Sequence, residues 1–287
     1  MTSEPQFFVG VGVAKAGTSW FGRYFADHPE VWFSPVKELH VFDQLLVPDC
    51  SVFTRRFDRR IERLASREVP HTDRTAGLLD GSLARRRMVE APSLDETVDL
   101  YRQFFLERAG SVKARGEITP SYSLLPTAGY QAIRQAFPEA VFLLVLRDPV
   151  ERFWSHLRFK QSREEGFDAI DQFESMLEGS GAAARNDYAD LFGRLFPAVP
   201  PDQLLTLFYE DVFVDGSVAE VERVTARLGI EAVAPELSQV VKQSPPADLP
   251  HQLGQIASAR FAGAYEATAA AFGRLPERWL RNRERAR

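Results

Sequence analysis

Lysine, threonine and serine occur together in a small-residue turn near the start of the chain, Lys15-Ala16-Gly17-Thr18-Ser19. The turn separates an apolar stretch, 6–13, from a helical pattern that includes Trp20 and ends near Asp27. Where such a turn leads from a strand into a helix, free N–H groups and the positive end of the helix dipole bind anions. The segment predicts a phosphate-binding turn. An ordinary turn with a solvated lysine is an equally good interpretation of this segment alone.

The turn differs from a Walker A loop in the position of its lysine. A Walker A loop has lysine directly after its second glycine and before Ser or Thr. Here Thr18 follows Gly17, and the lysine is at position 15. A lysine at this point suits a terminal phosphate or a bridging oxygen, and it implies no metal ion between two phosphates.

A second group of reactive side chains follows the short apolar stretch 31–34. Lys37, Glu38, His40 and Asp43 fall within seven residues. A carboxylate, an imidazole and an ammonium group at this spacing can supply a general base, its orienting partner and a charge clamp. Taken alone, a polar loop without chemistry is the better interpretation.

A third candidate is Arg147, which directly follows the strongly apolar stretch 141–146. Pro149 suits the first turn of the helix that comes next, and Ser155 lies on that helix. An arginine at the carboxyl end of a strand lies where α/β proteins bind ligands, and its planar fork fits phosphate. The alternative is a structural ion pair between Arg147 and Asp148.

The order of apolar stretches and helical patterns predicts an α/β fold with a central parallel β-sheet flanked by helices. We expect one domain over 1–287, with a helical insertion at about 44–115 and a C-terminal helix and basic tail at about 250–287. The predicted strands are 6–13, 31–34, 141–146 and 204–209.

Other segments receive more specific predictions. A capping box at Ser93 predicts a helix that ends by Gly110. Residues 116–122 are interpreted as a polar segment, and 162–181 as a mobile segment or lid. We expect a helix over 217–228, a single helix over 252–272 and a frayed end over 278–287.

Arginines are concentrated between residues 55 and 87. Those up to Arg67 fit a helix, whereas Arg85-Arg86-Arg87 is predicted to lie in a loop. Such charge runs usually form a solvated face, and the less favoured alternative is a basic wall that binds an acidic substrate.

Composition excludes several classes of function. With 287 residues and a net charge of −5, the chain is unsuited to non-specific nucleic-acid binding. Its single cysteine, Cys50, allows no intrachain disulfide and no metal cluster. Neither a signal peptide nor a run of about 18 apolar residues is found, so we expect a cytoplasmic location and no membrane span. The sequence does not indicate an oligomeric state.

Taken together, these segments resemble the sulfotransferases that use 3′-phosphoadenosine 5′-phosphosulfate (PAPS). Residues 15–19 resemble the 5′-phosphosulfate loop of that family, and 146–155 resemble its 3′-phosphate signature. The segment 37–43 is similar to the catalytic segment of the heparan sulfate O-sulfotransferases and their bacterial relatives. Residues 116–122 and 208–211 are similar to that branch too. The resemblance extends from Phe7 to about Leu228.

The resemblance implies a P-loop-like fold and sulfuryl transfer from PAPS to a hydroxyl of a carbohydrate, lipid or small natural product, with 3′-phosphoadenosine 5′-phosphate (PAP) as product. It implies Glu38 as base, supported by His40 and Asp43, and Lys15 as the cation at the leaving oxygen. The donor-binding residues that it implies are Lys15, Ala16, Gly17, Thr18, Ser19, Trp20, Arg147 and Ser155. No metal is required.

Two positions depart from the family pattern. Ile118 stands where heparan-type enzymes usually have lysine, and Lys37 is a possible substitute. The loop that covers the adenine in relatives has no clear copy near 242–244. A P-loop kinase of small molecules and a nucleotide-binding scaffold without catalysis are the alternatives.

Overall fold

A parallel sheet of five strands forms the centre of the computed structural model, which describes residues 4–48, 52–66, 70, 72–108, 110–179, 181–237 and 247–285. The strand order is β2-β3-β1-β4-β5. The strands are β1 (Gln6–Gly12), β2 (Val31–Phe33), β3 (Ala114–Ile118), β4 (Val141–Leu146) and β5 (Leu204–Phe208). Strands β3 and β4, which lie on either side of β1, are buried along their whole length, as expected for a parallel sheet covered on both faces.

Every neighbouring pair of strands is parallel, so the carboxyl ends of all five strands meet at one edge of the sheet. In the central strand, Val9 lies opposite Glu117 of β3 and Phe142 of β4. The polar segments that follow β1, β2, β3 and β4 in sequence therefore begin side by side at this edge.

Helices cover the sheet and form the long connection between β2 and β3. The first group is α1 (Thr18–Asp27), α2 (Phe42–Leu46), α3 (Val52–Ala65), α4 (Asp73–Val89), α5 (Leu94–Arg108), α6 (Thr127–Ala136) and α7 (Pro149–Gln161). The second group is α8 (Phe173–Gly179), α9 (Gly181–Ala184), α10 (Tyr188–Leu195), α11 (Val218–Leu228), α12 (His251–Arg260), α13 (Ala262–Phe272) and α14 (Glu277–Glu284). Short helical turns occupy Pro120–Leu124, Pro201–Gln203 and Glu210–Val214.

The structure confirms the α/β fold and the four predicted strands. The interpretation of 116–122 as a polar segment is wrong in part. The first residues of that segment belong to β3, a fully buried strand between β1 and β2. Glu117 is tolerated there because three hydroxyl groups donate hydrogen bonds to its carboxylate. Gly116 is required because an added Cβ would lie 2.2 Å from the carbonyl oxygen of Phe8.

Three helical predictions are corrected. Arg85-Arg86-Arg87 lies within α4 and not in a loop. The single helix expected at 252–272 is two helices, α12 and α13, which are separated at Phe261. The end expected to fray forms α14 over Glu277–Glu284, because the indole of Trp279 is fully buried there.

The segment at 162–181, interpreted from sequence as a mobile segment or lid, contains a packed helix. Phe173 of α8 is fully buried, and its ring meets that of Phe153 edge-to-face at a centroid distance of 5.2 Å. In the described part of the chain, none of the helices has both the length and the apolarity needed to cross a membrane.

Candidate active site

The small-residue turn after β1, the anion-binding turn that the sequence predicts, has two residues with a left-handed backbone. Lys15 and Gly17 both have positive φ values, 73° and 81°, and Gly17 is the N-cap residue directly before α1. No side chain in the described chain caps this helix end. The ring of Phe213 lies against Gly17, so that a Cβ at position 17 would come within 2.2 Å of its Cε2 atom. Position 17 therefore requires glycine for both backbone and space.

The glycines of β1 allow side chains from the neighbouring segments to approach the strand. A Cβ at Gly10 would lie 2.5 Å from Cγ1 of Ile118, and one at Gly12 would lie 2.9 Å from Cβ of Ser123. Side chains of the protein itself thus occupy the space that a larger residue would need at these two positions. Ile118 is buried in this space.

Two lysines lie at the anion-binding turn. The Lys15 ammonium lies 4.2 Å from the centroid of the Phe159 ring of α7. Lys37 comes from the segment after β2 and donates hydrogen bonds to the carbonyl oxygen of Thr18 and the hydroxyl of Ser19, both at 3.1 Å. Lys37 therefore joins the second reactive segment to the first.

The second reactive segment forms a line of three side chains. Nε2 of His40 lies 3.2 Å from Oε2 of Glu38, and Nδ1 lies 2.6 Å from Oδ2 of Asp43. Burial lowers the pKa of His40, but its hydrogen bonds to Asp43 and Glu38 outweigh this effect and leave the pKa raised. The side chain of His40 is 4% exposed and that of Glu38 is 31% exposed. Of the two, Glu38 is the group that a substrate can reach.

Two partners of His40 were not predicted from the sequence. Ser121 donates a hydrogen bond to Oδ2 of Asp43, and its hydroxyl is 3.1 Å from Nδ1 of His40. The ring of Phe53 from α3 stacks on the imidazole at a centroid distance of 3.5 Å. Ser121 belongs to the polar segment noted above, whereas nothing in the sequence connects Phe53 with His40.

His40 has a left-handed backbone with φ of 51°, a conformation that costs a non-glycine residue roughly 1–2 kcal/mol. The main chain on either side of it is held by hydroxyl groups. The N–H of Leu39 donates to Oγ1 of Thr119 at 3.0 Å, and the N–H of Val41 donates to the Tyr122 hydroxyl at 3.3 Å. These hydrogen bonds offset the free-energy cost of the left-handed backbone, because they satisfy two buried N–H groups.

Glu117 binds the two hydroxyl groups that hold this main chain. Its carboxylate accepts hydrogen bonds from Thr119 at 2.6 Å and Tyr122 at 3.1 Å, and a third from Tyr101 of α5 at 2.8 Å. Complete burial raises the pKa of Glu117 to about 7, against the opposing effect of the three hydrogen bonds. Glu117 thus supports the reactive segment through Thr119 and Tyr122.

We expect Glu117→Gln to change how stability depends on pH. The pKa of about 7 in the folded chain exceeds the unfolded value of 4.5, so the folded state holds its proton longer. The contribution of Glu117 is therefore greatest below pH 4.5 and falls as the pH rises to about 7, by about 3 kcal/mol at most. Urea unfolding of both proteins from pH 4 to pH 8 measures this difference. A constant difference across that range would contradict the raised pKa.

Arg147, the third candidate from the sequence, contacts the anion-binding turn. Its Nη1 atom donates a hydrogen bond to the carbonyl oxygen of Lys15 at 2.8 Å, and its Cζ atom lies 4.3 Å from the centroid of Tyr209. Nε of Arg147 is buried and has no hydrogen-bond partner within the described residues. A buried donor of this kind fits an anionic ligand.

The alternative ion pair between Arg147 and Asp148 is wrong, since among the described residues both carboxylate oxygens of Asp148 bind other groups. Oδ1 of Asp148 accepts the N–H of Glu151 and so caps α7, while Oδ2 accepts the Tyr265 hydroxyl. Burial, together with the charge of Glu210, raises the pKa of Asp148 to about 8.

Ser155 lies on α7 one turn beyond Arg152, and both side chains are buried. Arg152 donates hydrogen bonds to the carbonyl oxygens of Ala14 at 3.4 Å and Ala182 at 2.5 Å. It therefore fixes α7 against the anion-binding turn. The first helical turn of α7 and the start of α1 are in this way held together.

The arginines at 55–87 do not form one solvated face. Arg85 is 1% exposed, whereas Arg86 makes a partly exposed ion pair with Asp58 at 2.8 Å. Arg67 and the segment 242–244 lie outside the described residues, as does Cys50. No group of three or more His, Cys, Asp or Glu side chains in the described ranges is arranged to hold a metal ion.

Comparisons with known proteins give one family model and several structures of similar fold. The model of the Sulfotransferase family matches residues 5–235. A sulfotransferase from Alicyclobacillus acidocaldarius is similar in structure, with a TM-score of 0.62, 21% sequence identity and coverage of 97% of this chain and 100% of that one. The sulfotransferase domain of the Synechococcus PCC 7002 olefin synthase has a TM-score of 0.54, 14% identity and coverage of 95% and 96%. A comparison with curated protein sequences gives no match.

Proposed function

The chain belongs to the sulfotransferase family, and from this premise we propose that it transfers the sulfuryl group of PAPS to a hydroxyl of a carbohydrate, lipid or small natural-product acceptor. One observation carries the proposal. The hydrogen bond from Arg147 to the carbonyl oxygen of Lys15 joins two cationic sites at the carboxyl edge of the sheet. PAPS carries anionic groups at two ends, a 5′-phosphosulfate and a 3′-phosphate, and two adjacent sites suit it.

The residues at the first site fit the 5′-phosphosulfate. The open N-terminus of α1 offers the N–H groups of Gly17, Thr18 and Ser19, with Ala16 and Trp20 on either side. At the second site, the buried Nε of Arg147 and the Ser155 hydroxyl are the groups that we assign to the 3′-phosphate. The carbonyl contacts of Arg147 and Arg152 fix the relative positions of the two sites.

Glu38 is the group that we assign to the proton transfer. The acceptor oxygen attacks the sulfur in line with the bridging oxygen, and Glu38 takes the acceptor's proton as the new S–O bond forms. His40 orients Glu38 through the contact of 3.2 Å, and Asp43 orients His40. PAP leaves with the electron pair of the broken S–O bond, so neither a metal nor a covalent intermediate is needed.

Lys15 and Lys37 are the cations that we assign to the leaving oxygen. Ile118 cannot supply the charge that heparan-type relatives have at its position, because its side chain is aliphatic, and it packs against Gly10. Lys37 is suited to replace it, since its ammonium group lies at the start of α1. The likeness of 37–43 to the heparan-type catalytic segment supports this assignment and the glutamate base.

We expect Arg147→Ala to weaken the binding of PAP by tenfold or more and that of adenosine 5′-phosphate much less, because Arg152 still holds α7 to the turn through the carbonyl oxygen of Ala14. Loss of a charge-assisted hydrogen bond costs about 1.5–3 kcal/mol, and about 1.4 kcal/mol corresponds to a tenfold change. Titration calorimetry with both nucleotides measures the two effects. Arg223→Ala is the control, because Arg223 is an exposed arginine paired with Glu220. Equal losses for both nucleotides would show that Arg147 does not bind the 3′-phosphate.

A further inference from the structure

A buried arginine from the helical connection between β2 and β3 binds the main chain of the reactive segment. Nε of Arg85 in α4 donates to the carbonyl oxygen of Leu39 at 3.0 Å, and Nη2 donates to that of His40 at 2.9 Å. Nη2 also donates to the side-chain oxygen of Gln44. The guanidinium lies over the ring of Phe57, with Cζ 4.1 Å from the centroid.

The chemistry of this contact requires the shape of a guanidinium group. Burial lowers the pKa of Arg85 to about 10, so the side chain is still charged at neutral pH. A buried charge is costly unless its donors are satisfied, and here the three acceptors are neutral oxygens. The planar fork reaches all of them at once, whereas the single ammonium group of a lysine does not.

The hydrogen bonds of Arg85 complete the set that holds the main chain around His40, the residue with the left-handed backbone. The N–H groups of Leu39 and Val41 are held by Thr119 and Tyr122, and Arg85 holds the carbonyl groups of Leu39 and His40. The main chain at 39–41 is therefore bound on both sides, by the segment that follows β3 and by helix α4.

Building on the proposed function, we propose that Arg85 is a positioning residue for sulfuryl transfer, which fixes the His40 main chain and thereby holds the imidazole between Glu38 and Asp43. The helical connection between β2 and β3 thereby supports the reactive segment through Arg85. The ring of Phe53 from α3, stacked on His40, acts from the same region.

The test compares Arg85→Lys with Arg86→Lys, since both keep the charge and the two positions are adjacent on α4. We expect Arg85→Lys to lower kcat by about tenfold or more, because a small displacement of reacting groups is costly, and to change KM for PAPS by less than twofold. The imidazole pKa of His40, measured by NMR and assigned with a His40→Gln variant, should fall towards its ordinary value. Arg86→Lys should change neither quantity.

Two results would overturn the proposal: a normal kcat in Arg85→Lys, or a reduced kcat with the His40 pKa unchanged. The NMR titration needs no donor or acceptor, so it tests the positioning role even if the wild-type chain fails to bind PAP, which would overturn the proposed function instead. If Arg85→Lys does not fold, Arg85→Gln takes its place, because it removes the fork that binds both carbonyl groups, and its loss of positive charge would by itself raise the His40 pKa. A fall in the His40 pKa of that variant supports the proposal, and an unchanged pKa overturns it.

Discussion

Replacing Glu38 by glutamine is expected to lower kcat by about 10²–10⁴-fold, the usual contribution of a general base. Glutamine keeps the shape and hydrogen bonding of the side chain but cannot accept the acceptor's proton. PAP should bind with nearly normal affinity, because the donor contacts that we assign are made by other residues. Steady-state kinetics at saturating donor, together with calorimetric binding of PAP, measure both quantities.

His40 is the rival base within the same segment, and the geometry argues against it. Its two ring nitrogens face Asp43 and Glu38, and its side chain is only 4% exposed. We therefore expect His40→Ala to lose less activity than Glu38→Gln. If Glu38→Gln retained a near-normal kcat while His40→Ala abolished turnover, the two roles would have to be exchanged.

Replacing Lys15 by methionine is expected to lower kcat by about 10²–10³-fold, the effect of removing one group that stabilises charge in the transition state. Methionine keeps most of the length of the side chain and its contact with the Phe159 ring, but it has no charge. The effect should fall mainly on kcat, because negative charge on the bridging oxygen increases as the S–O bond breaks.

Lys113→Met is the matched control for Lys15→Met. Lys113 is about half exposed and pairs with Glu30, so its loss removes a charge away from the assigned site. Single-turnover measurements with saturating PAPS separate the chemical step from product release. A kcat of Lys15→Met within twofold of the wild type would assign the leaving-oxygen charge to Lys37 or another cation.

The sequence was sufficient to predict most of the sheet because its strands are apolar on both faces. Strand β3 was missed for a physical reason: the partners that allow Glu117 to be buried include Tyr101, which a different element supplies. The helix boundaries predicted near the C-terminus were wrong for a similar reason, since the burial of Trp279 depends on a tertiary contact with Glu210.

For the site, local spacing was informative and long-range contacts were not. Glu38, His40 and Asp43 were recognised because they are close in sequence, and the structure places them in one line. Arg85 and Phe53 come from the connecting helices, and no spacing rule associates them with His40. The arginine run was interpreted as solvated because sequence alone does not show which of its members points inward.

The most direct test of the central claim is a thermal-shift measurement with two nucleotides. A ligand at 100 times its dissociation constant stabilises the folded state by about 2.7 kcal/mol, which raises Tm by roughly 5 °C. PAP with EDTA should give this increase, and ATP with magnesium should give none. A nucleotide-binding scaffold would show the shift with PAP but no turnover of PAPS in the kinetic assay. Stabilisation by ATP and magnesium without any effect of PAP would contradict the sulfotransferase assignment of the site and favour a kinase.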